Sequence, residues 1–213
     1  MQRLILLCLL LICFCSEAAD EANIIVATDW SKPVESDFHP IQARLLIVNG
    51  SEPAYGGPKT DNHLMMFVEL KNSAGACCGS DKLYFDAKGL KLNLVDAAGK
   101  QTLKPTGMEW SGRGAFKPTW VVIPYNSTIR LYVNGGTKSP LTICQSGEPW
   151  SWWEIPSNDT NTYFLSGTLT VATTSDSTLT ATPHDKANIH EYANWEGTLG
   201  FPRVGISVRQ FAK

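Results

Sequence analysis

The apolar residues of this chain arrive in short alternating bursts, and that limits what it can fold into. Leu90-Lys-Leu-Asn-Leu94 alternates strictly between apolar and polar. Asn126-Ser-Thr-Ile-Arg-Leu-Tyr-Val133 does the same at Ile129, Leu131 and Val133. Leu64-Met-Met-Phe-Val-Glu-Leu-Lys71 is apolar on both sides at first and then alternates, as suits a strand central in its sheet. Shorter runs of this kind fall at residues 23–28, 42–49, 83–85, 120–124, 141–144, 162–171, 195–201 and 204–208. Turn residues punctuate them: Asn49-Gly50, Asn72-Ser-Ala-Gly75, Asp96-Ala-Ala-Gly99 and Asn134-Gly-Gly136. The last of these is expected to stop its strand. Asp96–Gly99 is expected to turn a hairpin whose return strand begins at residues 101–103. Residues 29–40, 51–61, 105–118 and 172–188 read as loops, the last with weak strand character at 178–182. Met108, Trp110 and Phe116 are expected to fold back over a sheet edge. No stretch beyond the N-terminal leader holds a helical period of useful length. About ten short strands without helices predict an all-β fold, an antiparallel β-sandwich.

The N-terminus sets the expected compartment. Arg3 precedes an apolar run from Leu4 to Cys15, and Ser16-Glu17-Ala18-Ala19 follows. A basic start, an apolar core and small residues at Ser16 and Ala18 read as a secretory signal peptide over residues 1–18. The run falls short of the roughly 20 apolar residues that span a bilayer. A lipid anchor would acylate Cys15 or Cys13. Phe14 and Ile12 then stand where such signals place a small residue, so soluble export to the outside or the cell envelope is the expectation. The mature chain of about 195 residues suits one domain. Residues 19–62 supply N-terminal strands and a loop, and residues 63–213 the body of the sandwich. No second apolar run is long enough to cross a membrane.

Eighteen Lys and Arg against twenty Asp and Glu leave a net charge of −2. Such a chain lacks the basic footprint of a nucleic-acid binder and has no polybasic segment for anionic lipid. Three cysteines survive cleavage: Cys77, Cys78 and Cys144. In an oxidising compartment an odd number predicts one bridge and one free thiol. A long-range bridge from Cys77 or Cys78 to Cys144 is expected, with Cys78–Cys144 preferred over a vicinal Cys77–Cys78 pair, which would strain the peptide between them. Closing that loop would stabilise by about 4 kcal/mol on the chain-entropy model.

The richest aromatic segment is Trp150-Ser-Trp-Trp-Glu-Ile-Pro, followed by a polar turn and the run 162–171. On a strand, Trp150 and Trp152 share one face and Trp153 the other. Two readings compete. The three indoles form a stacking platform for sugar rings, or at least two of them plug the core, where Trp is usually found. Downstream, Tyr163, Leu165, Gly167, Leu169 and Val171 share a face. Tyr163 lies two residues before inward Leu165, just after a Pro/Asn/Asp corner. That arrangement resembles the tyrosine corner of immunoglobulin-like domains, with Leu165 where antibody domains place a cysteine. The resemblance covers roughly residues 60–210. It implies an immunoglobulin-like β-sandwich of the kind found on exported bacterial proteins, and implies nothing about activity.

Catalytic motifs are missing. There is no Gly-x-Ser-x-Gly elbow, phosphate-cradling glycine loop or calcium-loop spacing. His39, His63, His184 and His190 show no H-E-x-x-H spacing. His184-Asp185 and His190-Glu191 lie in the polar excursion and read as solvated loop. No metal or cofactor is expected. Three N-x-[ST] sequons, at Asn49, Asn126 and Asn158, fall at predicted turns. The sequence therefore predicts a secreted or cell-envelope, non-catalytic binding module. Its partner is an extracellular polysaccharide or protein, with the Trp150, Trp152, Trp153 edge as candidate sugar site. The rival reading is a small exported hydrolase using carboxylate or metal chemistry, since paired carboxylates meet only in space.

Overall fold

Strict alternation at 90–94 becomes strand β5 (Leu90–Val95), in which Leu90, Leu92 and Leu94 are buried while Lys91 and Asn93 face solvent. The same logic builds the rest. A computed structural model describes residues 24–33, 40–50, 61–73, 81–107, 118–146, 151–171 and 193–212. Within them the strands are β1 (Ile24–Ala27), β2 (Ile41–Asn49), β3 (His63–Asn72), β4 (Asp81–Phe85), β5, β6 (Thr106–Gly107), β7 (Thr119–Ile123), β8 (Ser127–Thr137), β9 (Leu141–Cys144), β10 (Ser151–Ile155), β11 (Tyr163–Val171), β12 (Ala193–Asn194) and β13 (Gly197–Ile206). A 3-10 turn at Ala87–Gly89 and a one-turn helix α1 (Val208–Phe211) complete the described elements.

The strands pair as β1-β2-β3-β8, β13-β11-β5, β6-β10-β9 and β12-β4-β7. All pairings are antiparallel except β12 with β4. The Lys91–Ser146 bridge and the Leu92 N–H donating to the Gln145 carbonyl at 2.9 Å tie β5 to the residues just after β9. The inward faces of these sheets form one core. Leu45, Val68, Leu70, Leu83, Leu94, Ile123, Trp153, Leu165, Leu169 and Ile206 are all at most 1% exposed within it. The fold is all-β, as the alternation predicts, with more strands than the ten expected because short pieces such as β6 and β12 leave no pattern in sequence.

Four expectations change. The Asp96–Gly99 turn forms: Gly99 has φ +80°, and the Asp96 carboxylate accepts from the Ala98 and Lys100 N–H groups. No hairpin follows it, because residues 101–105 are not a strand and β5 pairs with β11 instead. Asn134-Gly-Gly136 does not stop β8, which runs on to Thr137. The glycines let a neighbouring backbone come close, since a Cβ on Gly136 would stand 2.2 Å from the Thr142 carbonyl oxygen. Residues 197–206 form one strand rather than two, with Pro202 opposite a register shift between Leu165 and Gly167 on an edge strand, where its missing N–H costs no ladder bond. The C-terminal turn α1, which has no sequence period of its own, folds because Val208 and Phe211 are buried in the core. Met108, Trp110, Phe116 and residues 178–182 lie outside the described residues.

Candidate functional site

Trp153 sits at 0% exposure on β10, opposite Ile143 of β9. Its ring faces are covered by the core, so it has no surface to offer a sugar. Trp152 points the other way, half-buried, between Cys144 and Thr106. Trp150 lies outside the described residues. The aromatic edge thus narrows, within the described chain, to Trp152 alone.

The bridge expected at Cys144 is not formed. Cys144 is a free thiol, 6% exposed, whose Sγ donates to the Gly135 carbonyl at 3.0 Å. Cys77 and Cys78 lie outside the described residues. Spacing could nominate the pair but not the contact, since a disulfide needs Cα atoms within about 7 Å. Burial pushes the Cys144 thiol up to about 12. The native state therefore holds this proton more tightly than the unfolded chain does. Its contribution to stability is fully present below the unfolded value near 9 and is lost as pH rises from there through about 12. Cys144 should resist a thiol reagent at pH 8 in the native protein and react promptly in denaturant; equal rates would contradict its burial.

At Tyr163 the turn before β11 is held by side chains, not by the tyrosine-to-backbone bond of an immunoglobulin-like tyrosine corner. Tyr163 and Leu165 are buried, at 5% and 0%. The Tyr163 hydroxyl donates to Asp159 Oδ2 at 2.8 Å, and Asp159 Oδ1 accepts the Asn161 N–H at 2.7 Å. The Asn161 backbone bond, with the Tyr163 bond behind it, holds the Asp159 carboxyl below its usual range. That contribution is present above the unfolded carboxylate pKa and fades as pH falls through the depressed one. Tyr163→Phe should cost about 1 kcal/mol at neutral pH, with a smaller penalty in acid, read from urea titrations at both pH values.

A different surface draws the strongest constellation together. On the outward face of β1-β2-β3-β8, register sets Arg44 of β2 opposite Glu69 of β3, and Glu69 opposite Arg130 of β8. Arg44 Nε donates to Glu69 Oε2 at 2.5 Å, while Arg130 donates to Oε1 through Nε at 2.9 Å and Nη2 at 2.7 Å. The carboxylate is nearly covered by its two partners, whose side chains are about a quarter exposed. Next to this row, Gln42, Lys71 and Thr128 align; on its other side stand Leu46, Phe67 and Tyr132.

Trp30 closes the face at the β2 edge. Residues 28–31 run beside β2 and satisfy its outer N–H groups with side chains: Thr28 Oγ1 accepts from Leu45 at 3.0 Å and Ser31 Oγ from Ala43 at 2.9 Å. Backbone bonds from Thr28 and Ser31 N–H to the Leu45 and Ala43 carbonyls complete the seam. Two buried hydroxyls so fix the chain on either side of Trp30, and its indole lies 4.7 Å from the Arg44 guanidinium and 5.8 Å from Lys71 Nζ. Across the sheet, Phe67 meets Tyr132 edge-on at 5.6 Å and receives Arg130 at 5.9 Å. Three cations and three aromatic rings thus surround one carboxylate, on a chain whose net charge is −2. Among the described residues, Lys71 pairs with no carboxylate, and the Arg44 Nη groups make no hydrogen bond.

No motif in the sequence singles out these residues. Alternation alone marks Arg44, Glu69, Lys71 and Arg130 as outward, but not as neighbours. Of the histidines, His63 opens β3, opposite Thr137 of β8; His39, His184 and His190 lie outside the described residues. Among the described residues no three His, Cys, Asp or Glu side chains converge as a metal site. Of the sequons, Asn126 and Asn158 are exposed in turns, Asn126 with φ +52°, whereas Asn49 ends β2 with its Oδ1 buried. No described helix is long and apolar enough to cross a membrane. No family model, curated protein or solved structure matches the chain.

Proposed function

We propose that this chain is an exported, non-catalytic binding module of immunoglobulin-like sandwich type that takes a polysaccharide of its extracellular or envelope surroundings. The observation that carries the reading is the outward face of β1-β2-β3-β8, where Arg44 and Lys71 lie over the Trp30 ring, Arg130 lies over Phe67 and Glu69 fixes the Arg44 guanidinium. Aromatic rings offer apolar faces to sugar C–H groups, and the cations offer donors to sugar oxygens. Ordered side chains lose little entropy when a ligand lands on them. Export rests on the leader at residues 1–18, and the sandwich type on Tyr163 standing two residues before inward Leu165.

Affinity electrophoresis of the mature chain in gels cast with individual polysaccharides tests this. Retardation by at least one polymer, weakened about tenfold by Trp30→Ala, is the expected result, a loss of 1.4 kcal/mol. Release of new reducing ends from the retarding polymer would favour the hydrolase reading instead. Retardation by none of the polymers would end the proposal.

A further inference from the structure

Resting on that reading, we infer that the polysaccharide is an acidic one, with carboxylate groups received by Lys71 and Arg44 beside Trp30. The charge balance of the face comes first. Glu69 is shared between Arg44 and Arg130, and Lys71 pairs with no carboxylate among the described residues, so the Lys71 charge is unmatched there.

Donor geometry comes next. Glu69 engages Arg44 through Nε alone, which leaves the two Nη groups of Arg44 for another acceptor. Guanidinium groups bind carboxylates in a planar fork, and a held guanidinium does so at lower entropic cost. Lys71 sits one row along on the neighbouring strand, within reach of the same indole as Arg44. Strands about 4.8 Å apart set the lateral spacing of the two cations. A sugar stacked at Trp30 would therefore meet both through one carboxylate or two successive ones.

The sheet edge argues against an extended acidic peptide. Peptides commonly bind β proteins by adding a strand to an open edge. Here β1 and the Thr28 and Ser31 hydroxyls already occupy the β2 edge. Beside Trp30 the face, not the β2 edge, is what remains for a ligand, and a face with an indole suits a ring.

The test compares the mature chain with Lys71→Gln, Lys71→Arg and Trp30→Ala in gels containing polygalacturonate, neutral dextran or poly-glutamate. Retardation by polygalacturonate is expected to exceed that by dextran at least about tenfold, and to vanish as the Debye length shrinks to about 3 Å in 1 M salt. Lys71→Gln should remove most of it and Lys71→Arg should keep it. Trp30→Ala should weaken polygalacturonate more than poly-glutamate. Binding to dextran that Lys71→Gln leaves unchanged would overturn the acidic assignment while the binding-module reading stands. Poly-glutamate binding as tight as polygalacturonate, and as indifferent to Trp30, would overturn the sugar. Retardation by none of the three would overturn the inference, and failure across a wider panel would overturn the module as well. Native circular dichroism of each variant separates lost binding from lost fold.

Discussion

Trp153→Ala is expected to lower the stability of the folded chain by about 3–5 kcal/mol, the cost of emptying a site the size of a large aromatic side chain. Trp153 is the largest fully buried side chain among the described residues, and it lies where β10 packs on the core beside Ile143. Whole domains hold together by only about 5–15 kcal/mol, so this substitution could consume a large share of the total. Trp153→Phe separates volume from polarity. The indole Nε1 is buried without a hydrogen-bond partner among the described residues. Phenylalanine surrenders part of the volume and also removes that donor, so it should recover most of the loss. Urea titration of the three proteins decides the matter. A Trp153→Ala protein within about 1 kcal/mol of the parent would mean that the side chain is not in the core at all.

Glu69→Ala should be the most damaging change on the outward face, at about 2–4 kcal/mol. Breaking a buried ion pair from one side strands the other charge, which costs about 3–5 kcal/mol when burial is complete. The figure is reduced here because the two arginine side chains are about a quarter exposed and partly hydrated. Two guanidiniums on strands flanking β3 would then face each other across an alanine. Salt supplies a second readout. Screening weakens their repulsion, so the deficit should shrink in 1 M sodium chloride. A salt-independent deficit would point to lost packing instead. Glu69→Gln keeps one acceptor and should fall between the two.

Both predictions concern residues whose burial was not equally legible beforehand. The period-2 pattern assigns Trp153 to the opposite face from Trp152 as soon as the segment is a strand, and the usual burial of Trp favours the interior. Glu69 lies in an apolar run that reads as central strand, but nothing local says that a carboxylate there would be flanked by two arginines. Those partners are 25 residues before it and 61 after it. The disulfide expectation failed for the same reason. Spacing and compartment can say that Cys144 wants a partner, yet only the course of the chain decides that its sulfur meets the Gly135 carbonyl.

The division between sequence and tertiary structure follows from the range of the forces. Alternation, turn residues and the absence of a helical period are properties of neighbours along the chain. They determined an all-β fold, the bounds of most strands to within a residue or two, and the inward set of β11. Pairing is not a local property. Whether β5 returns on itself or pairs with β11, and whether Asn134-Gly-Gly136 ends a strand or lets one pass closely, depends on which backbone stands opposite. The cluster of Trp30, Arg44, Glu69, Lys71 and Arg130 belongs wholly to that second kind. A one-residue slip in either strand pairing would turn these side chains to the other face and dissolve it. Its existence was decided by the register of β2 and β8 on β3, which the inward residues of all three strands enforce by burying themselves together.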